Sequence, residues 1–544
     1  MDKAKKDARI EKLRRWLLPL AGFGAFIWFC VRVIPKPSRA RYPCMRAAAP
    51  LASTFVIGCL SFLGSVTVFK RARSLMGESR WALFCLLLLC GAGLGVLGLG
   101  LTAGSAAAVP QPGKPAGYAA GISGQRPAND GPNMPMGVGK GIYPGRVVWV
   151  RDSDATNENY EWPDSGFWFD ESNAPQRVTT EMLRKGILKL TGKTEVKDAW
   201  DALFRTTNKS RGLGDRGYAK GETIVIKTNF NGESQGRQNI NTSPQILCSL
   251  LDELVNQAGV PQDRIHLGEP NINPDPKMYQ AMLKSFPKVH YYKAPAPGHA
   301  TDATKGDAIF ASDGGMRDPL PQTYVDASYL IVVPVLKKHH RAGVSLTAKL
   351  HFGSITPFNP NGAFSWHYSL PAPNGAGDVS NGGYGKYRCF VDFTGHKDLG
   401  GKTALYLVDG LWSSINWGHP AIKWRMAPFN GDYPNSLFLS QDPVAIDSVG
   451  YDFLYAEFDP NHPSEGAYDP RDNSGPFSRY SGADDYLHQE ADPKDRPPGI
   501  AYDPEKDGVP ITASLGVHEH WSDPVNKKYA GPGRGIDLVY IGKD

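Results

Sequence analysis

From Ile142 onward, short apolar runs of strand length alternate with segments of helical period, and this alternation constrains the fold more than any other feature of the sequence. "GRVVWVRD" reads as a strand, and "TTEMLRKGILKLTG" and "VKDAWDALFRTT" as helices, with Met182, Ile187 and Leu188 on one face. "ETIVIKTNF" is an apolar run suited to a strand covered on both sides. In "SPQILCSLLDELVNQAG", Ser243 predicts an N-cap, Pro244 the first helical position and Gly259 the terminator. "DRIHLGE", "DPKMYQAMLKSF" and "KVHYYK" continue as strand, helix and strand. Later strands are "ASYLIVVPVL", "TALYLVDGL", "NSLFLSQ" and "GIDLVYIG", with "DPVAIDSVGYDFLYAEF" as a late helix. Right-handed crossovers make parallel pairing the default. The expected fold of residues 142–544 is therefore α/β, a mostly parallel sheet with flanking helices and long irregular insertions at 356–402 and 459–534.

The first 104 residues differ in kind. They carry 16 Lys/Arg against 4 Asp/Glu, while the remainder carries 44 against 50, so the net charge of +6 arises from the N-terminal part. The larger part is mildly acidic and has no basic stripe interleaved with aromatics, which argues against nucleic acid as a partner. Three apolar stretches, 16–33, 47–69 and 81–104, approach the roughly 20 residues that cross a bilayer as a helix. They predict an all-α transmembrane segment of two or three helices preceding the α/β domain. Flanking positive charge then puts the large domain outside the cytoplasm if all three span, and inside it if the first, interrupted by Pro19 and Arg32, only lies in the interface. Two processing readings compete with anchoring: "LRRWLL" resembles part of a twin-arginine signal, and "AGSAAAVPQ" a signal-peptidase site. Residues 105–141 are rich in Gly, Pro and Ala without apolar periodicity, and read as a tether.

In open parallel sheets ligands bind beyond the carboxyl ends of the strands. The run "TIVIKTN" ends on Lys227 and Asn229, "IHLGE" on Glu269, "LIVVPVL" on Lys337, Lys338, His339 and His340, "LYLVDG" on Asp409 and "LFLSQD" on Asp442. Parallel neighbours would bring these groups to one edge, forming a site for an anionic or metal-bearing ligand. Against this, every strand runs into a polar loop, and the starts of the same runs, at Glu222, Arg264 and Lys402, are polar too. His339, His351 and Glu269 are candidate ligands for a divalent metal, although their spacing matches no HExxH or facial-triad pattern. Lys337 and Lys349 suit an anion clamp, or a reactive amine if desolvated. "VHEHW" places His518 and His520 on one face if extended, and such pairs are more often structural than ligating. The sequence has no GxGxxG, Walker, GxSxG or HExxH motif. Cys248 and Cys389 alone serve the large domain, too few and too far apart for a zinc ribbon or iron–sulfur cluster.

Taken in order, "IVIKTNFN", "NTSP", "IHLGEPN", "VPVLKKHHRAGVSLTAKLHFG", "LYLVDGL" and "SQDPVAIDSVGYDFL" resemble the DUF362 domain family, with "PGRVVWVRDSDATN" and "GVPITASLGVHEHW" similar to its exported branch. The resemblance spans about residues 143–542. It implies a shared strand-end site, with Lys227, Asn229, Glu269, His340 and Thr347 as ligand-binding residues and His339, Lys337, Lys349 and Asp409 as candidate catalytic ones, but it names no reaction. Where the family often reads Lys-Asn, this chain has Lys349, Leu350 and His351, and the ferredoxin-like cysteines of some members are missing, so no iron–sulfur cluster is expected. In an enzyme His339 would exchange protons near neutral pH, oriented by Asp409 or Glu269. The rival expectation is a non-catalytic surface module whose aromatic loops, such as "GLWSSINWGHP", bind a glycan or protein partner.

Overall fold

The computed structural model describes residues 131–231, 239–270, 272, 275–292, 305–355, 366–374, 380–416, 418–458 and 482–543. The chain divides into two compact units, Met1–Gly117 and Tyr118–Asp544, and all described residues belong to the second.

Fourteen strands are described. A ten-stranded sheet contains β2 (Arg146–Asp152), β3 (Ile224–Thr228), β4 (Ile265–Gly268), β5 (His290–Tyr291), β8 (Tyr329–Val333), β9 (Val335–His339), β10 (Gly343–Val344), β11 (Thr403–Ser414), β12 (Ser436–Ser440) and β14 (Asp537–Lys543). Two short ribbons flank it, β1 (Met136–Gly137) with β13 (Val517–His518) and β6 (Lys305–Phe310) with β7 (Arg317–Pro321). The main path is β14-β2-β12-β11-β8-β3-β4-β5.

On one side of the sheet lie α1 (Gln176–Thr191), α2 (Val196–Ser210), α3 (Pro244–Asp252) and α4 (Pro276–Ser285), packed on Val148, Ile224, Ile226, Leu405 and Leu407. On the other lie α6 (Thr347–Leu350), α7 (Cys389–Gly395), α8 (Pro443–Phe458) and α9 (Asp485–Ala491), packed on Val147, Val225, Leu330, Val332 and Val408. A short α5 (Gln322–Asp326) precedes β8. Alternate residues of each central strand thus feed opposite apolar layers, which is why these strands read as continuous apolar runs.

Two expectations need correction. The sheet is mostly parallel but mixed, because β12 runs antiparallel to both β11 and β2, and β10 to β9. A parallel pairing needs a crossover back to the starting edge; α1 through α4 serve the other strands in that way, but no helix is described between β11 and β12, and the chain returns from the edge where it left. The all-α transmembrane segment is the second. No helix among the described residues is long and apolar enough to cross a membrane. The long apolar helix α8 has 16 residues, about 24 Å at 1.5 Å per residue against roughly 30 Å of hydrocarbon. The apolar stretches 16–33, 47–69 and 81–104 lie outside the described residues.

Residues 131–141, at the end of the predicted tether, dock on the domain: β1 pairs with β13, and the Lys140 N–H donates to Asp442 at 2.7 Å.

Pro334 decides the geometry of the central strand. Lacking an N–H, it ends β8, and its carbonyl accepts from the Asp409 N–H at 2.8 Å. β11 therefore pairs first with β8 and then, beyond the break, with β9. The cationic stretch after "VPVL" is thus a strand that turns at His340–Ala342 into β10, with His339 opposite Gly343.

Candidate functional site

The segment Asn241–Pro244 fastens the exits of three strands. Asn241 Oδ1 accepts from the Asn231 N–H at 2.8 Å. The Thr242 hydroxyl donates to the Val333 carbonyl at 2.9 Å and accepts from the Asn229 N–H at 2.7 Å. Ser243 occupies the N-cap position of α3, with Pro244 at its first turn, but its hydroxyl makes no capping bond. Hydroxyl and backbone N–H instead both donate to Asp409 Oδ2, each at 2.7 Å. The Leu411 N–H, at 3.1 Å, engages the other oxygen of Asp409. Asp409 is therefore the joint between β11 and the start of α3. Burial pushes its carboxyl up to about 6, against the pull of Ser243, Leu411 and Lys337.

Around this joint the lysines gather. Lys227 and Asn229 follow Val225 onto the α6–α9 side of the sheet. The Lys227 ammonium donates to Glu269 and, at 2.8 Å, to the Thr228 carbonyl. Lys337 donates to the Ile240 carbonyl at 2.8 Å. Lys349, on α6, lies over the Phe352 ring at 4.1 Å, with no hydrogen bond or ion pair among the described residues. Burial pushes Glu269 up to about 7, opposed first by Lys227 and then by Lys349 and Lys337. Burial lowers Lys227, with Glu269 resisting, and brings Lys337 and Lys349 down to about 7 each. Gly353 makes this approach possible: a Cβ there would fall 2.2 Å from Glu269 Oε1.

His339 is oriented by the backbone and not by a carboxylate. Its Nδ1 accepts from the N–H groups of Arg341 and Ala342, at 3.1 and 3.2 Å, which leaves Nε2 as the protonated nitrogen. Burial, reinforced by Lys349, His340, His367 and Lys337, holds its pKa well below the usual histidine range. It is a neutral donor, in contrast to the proton exchanger expected near pH 7. His340 donates from Nδ1 to Asn416 at 3.0 Å, while Nε2 accepts from Arg341 at 3.3 Å.

Thr347 and His351 are occupied elsewhere. The Thr347 N–H and hydroxyl donate to Asp447 Oδ1 at 2.8 and 2.7 Å, and the Ala348 N–H to Oδ2 at 3.2 Å, so α8 sets the start of the short helix that carries Lys349. His351 Nδ1 lies 3.1 Å from the Ser354 hydroxyl, and burial lowers its pKa to about 3. His339, His351 and Glu269 are not gathered at metal-ligand spacing among the described residues.

Asp442 lies at the opposite edge, since β12 is reversed. Its Oδ1 accepts from the N–H groups of Val444 and Ala445, at 3.1 and 2.9 Å, and so caps α8. Trp412 of the "GLWSSINWGHP" stretch is fully buried against Tyr160, Trp168 and Tyr433; Trp417 is outside the described residues. The residues missed from sequence are His367, Phe352 and Gly353. His367 lies 6.2 Å from His339, ring to ring, and comes from the insertion after α6, where no periodicity pointed to a contact.

The edge thus brings together Lys227, Glu269, Lys337, His339 and Lys349 over the joint at Asp409, with three amines beside the buried carboxylate of Glu269. No curated protein matches the chain. Residues 224–452, which hold all of these groups, match the family model described as "Domain of unknown function (DUF362)".

Proposed function

We propose that the edge formed by β3, β4, β9 and α6 binds a small oxyanion, a carboxylate or phosphate, through Lys227, Lys337 and Lys349. The observation that carries this reading is Lys349, a partly buried amine near two other lysines, without a hydrogen-bond or ion-pair partner among the described residues. A buried charge without a partner is costly, and the cost is removed when a ligand supplies the countercharge. Asn229 Oδ1 and Asn239 Oδ1 are buried and have no partner among the described residues, so the site also offers acceptors to a hydroxyl or N–H of the ligand. His339 adds a neutral N–H donor at Nε2. Asp409 positions α3 and Lys337, and Glu269 holds Lys227. If a reaction follows binding, Lys337 and Lys349, each near pKa 7, are the groups able to release or take a proton at physiological pH.

The test is calorimetric titration of the full chain with inorganic phosphate, sulfate, succinate and citrate. At least one should bind, and Lys349→Met should weaken it by about tenfold or more, the 1.5–3 kcal/mol of a charge-assisted hydrogen bond. Equal binding by wild type and Lys349→Met would sink the proposal.

A further inference from the structure

Away from the lysines, α8, α9 and β13 bring three histidines together. His488 and His518 are fully buried and His520 is 9% exposed, and one nitrogen from each lies within 4.8 Å of the other two. His488 and His520 both face His518, with ring centroids 4.8 and 4.7 Å from it. We propose that His488, His518 and His520 bind one divalent transition-metal ion of the zinc class.

The argument begins with the tautomers. The Ser448 hydroxyl donates to the Val444 carbonyl at 2.7 Å and must therefore accept from His518 Nδ1, 2.8 Å away. His520 Nδ1 donates to Asp452 Oδ1 at 2.6 Å, and Asp452 is itself fixed by the Trp521 N–H at 3.0 Å and the Tyr529 hydroxyl at 2.9 Å. With each Nδ1 committed, Nε2 is the nitrogen that both rings present to the shared centre. This is the arrangement by which metal proteins orient ligating imidazoles, with the outer nitrogen held by a carboxylate or hydroxyl. Asp484 Oδ2 pairs with His520 Nε2 at 3.5 Å, and its other oxygen accepts from the Tyr384 hydroxyl at 2.8 Å, so an ion would take the place of the proton between them, with this carboxylate as a fourth donor.

Spacing and charge agree with that reading. Zn–N bonds of about 2.05 Å in a tetrahedron separate the nitrogens by about 3.4 Å, so the ligands need to close by at most about 1.4 Å, within reach of small side-chain rotations. Asp452 and Asp484 make the pocket a place for positive charge, whereas the sheet-edge site carries three amines that would repel it. Imidazole donors select Zn, Cu, Fe or Ni over Mg or Ca. His488, His518 and His520 all lie beyond residues 224–452, the part that matches the family model, while Ser448 and Asp452 lie within it. The site would therefore belong to this chain's C-terminal extension as docked on the domain.

The test uses the full chain without an affinity tag, stripped with chelator and reloaded with Zn(II) or Co(II). One equivalent per chain should be retained at micromolar free ion. His488→Gln and His520→Gln should each lower affinity at least 100-fold with an unchanged circular dichroism spectrum, and His339→Gln should have no effect. Should a histidine variant fail to fold, the Co(II) form of the unaltered chain decides the matter, with paramagnetically shifted imidazole signals expected from three histidines. No retained ion, fewer than three such signals, or loss of the ion only in His339→Gln would overturn the assignment.

Discussion

Two buried charge centres on the same side of the sheet show opposite design. Arg388 is answered on all sides by the protein: Nε donates to Asp485 at 2.9 Å, Nη1 to the Ser369 carbonyl at 2.8 Å, and Nη2 to the Asn381 and Gly383 carbonyls at 3.1 and 2.9 Å. Asp485 in turn accepts from the Gly385 N–H and the Gln489 amide, both at 2.9 Å. Four of the five guanidinium N–H groups thus face acceptors, and the result ties the loop before α7 to α9. The lysine edge does the reverse. Among the described residues Lys227 has Glu269 and one carbonyl, Lys337 has one carbonyl, and Lys349 has only a ring face. A buried charge answered from within holds structure; one left in surplus is what the proposed anion would answer.

Breaking the Arg388 centre should have the largest effect. Arg388→Met leaves Asp485 buried without its countercharge and takes a donor from three carbonyls, and a loss of about 3–5 kcal/mol in denaturant unfolding is expected. Glu269→Gln comes next, with a loss of roughly 3 kcal/mol because Lys227 then has no countercharge; anion binding should tighten, and a weaker affinity would argue that Glu269 itself contacts the ligand.

A smaller effect is expected from pH. The amines of Lys337 and Lys349 are charged below their pKa of about 7 and neutral above it, and an anion favours the charged form. Affinity should thus fall as pH rises past 7, by up to about tenfold, or 1.4 kcal/mol, per pH unit for each proton taken up on binding. A titration series from pH 6 to 9 that stays flat would remove the lysines from the site. The smallest change belongs to Lys349→Met without ligand: stability should shift by less than about 1 kcal/mol, since no internal partner is lost. A loss as large as that of Arg388→Met would mean that Lys349 is structural after all.

Much of the fold was legible because periodicity is local. The runs around Ile224–Thr228, Ile265–Gly268 and Thr403–Ser414 are strands, and Pro244 and Gly259 sit where their turn chemistry put them, Gly259 at φ +74°. Ser243 shows the limit of such reading. Its position at the helix start was correct, but its hydroxyl serves Asp409, 166 residues away, and only the docking of β11 beside α3 could decide that. Asp442 and Asp447 likewise stood out as part of one motif, yet the first caps its own helix and the second holds the start of α6.

By itself, the sequence determined which segments are strands and helices, and which charged residues sit at strand ends, since both follow from composition over a few neighbouring positions. Tertiary structure decided the reversed β12, which moved Asp442 to the far edge, and the break at Pro334, which carried Lys337 and His339 onto a second strand beside β11. It also decided which charges are answered. The partner of a buried charge is set by how distant segments pack, and this gives Arg388 an ionic partner in Asp485 and leaves Lys349 with none among the described residues.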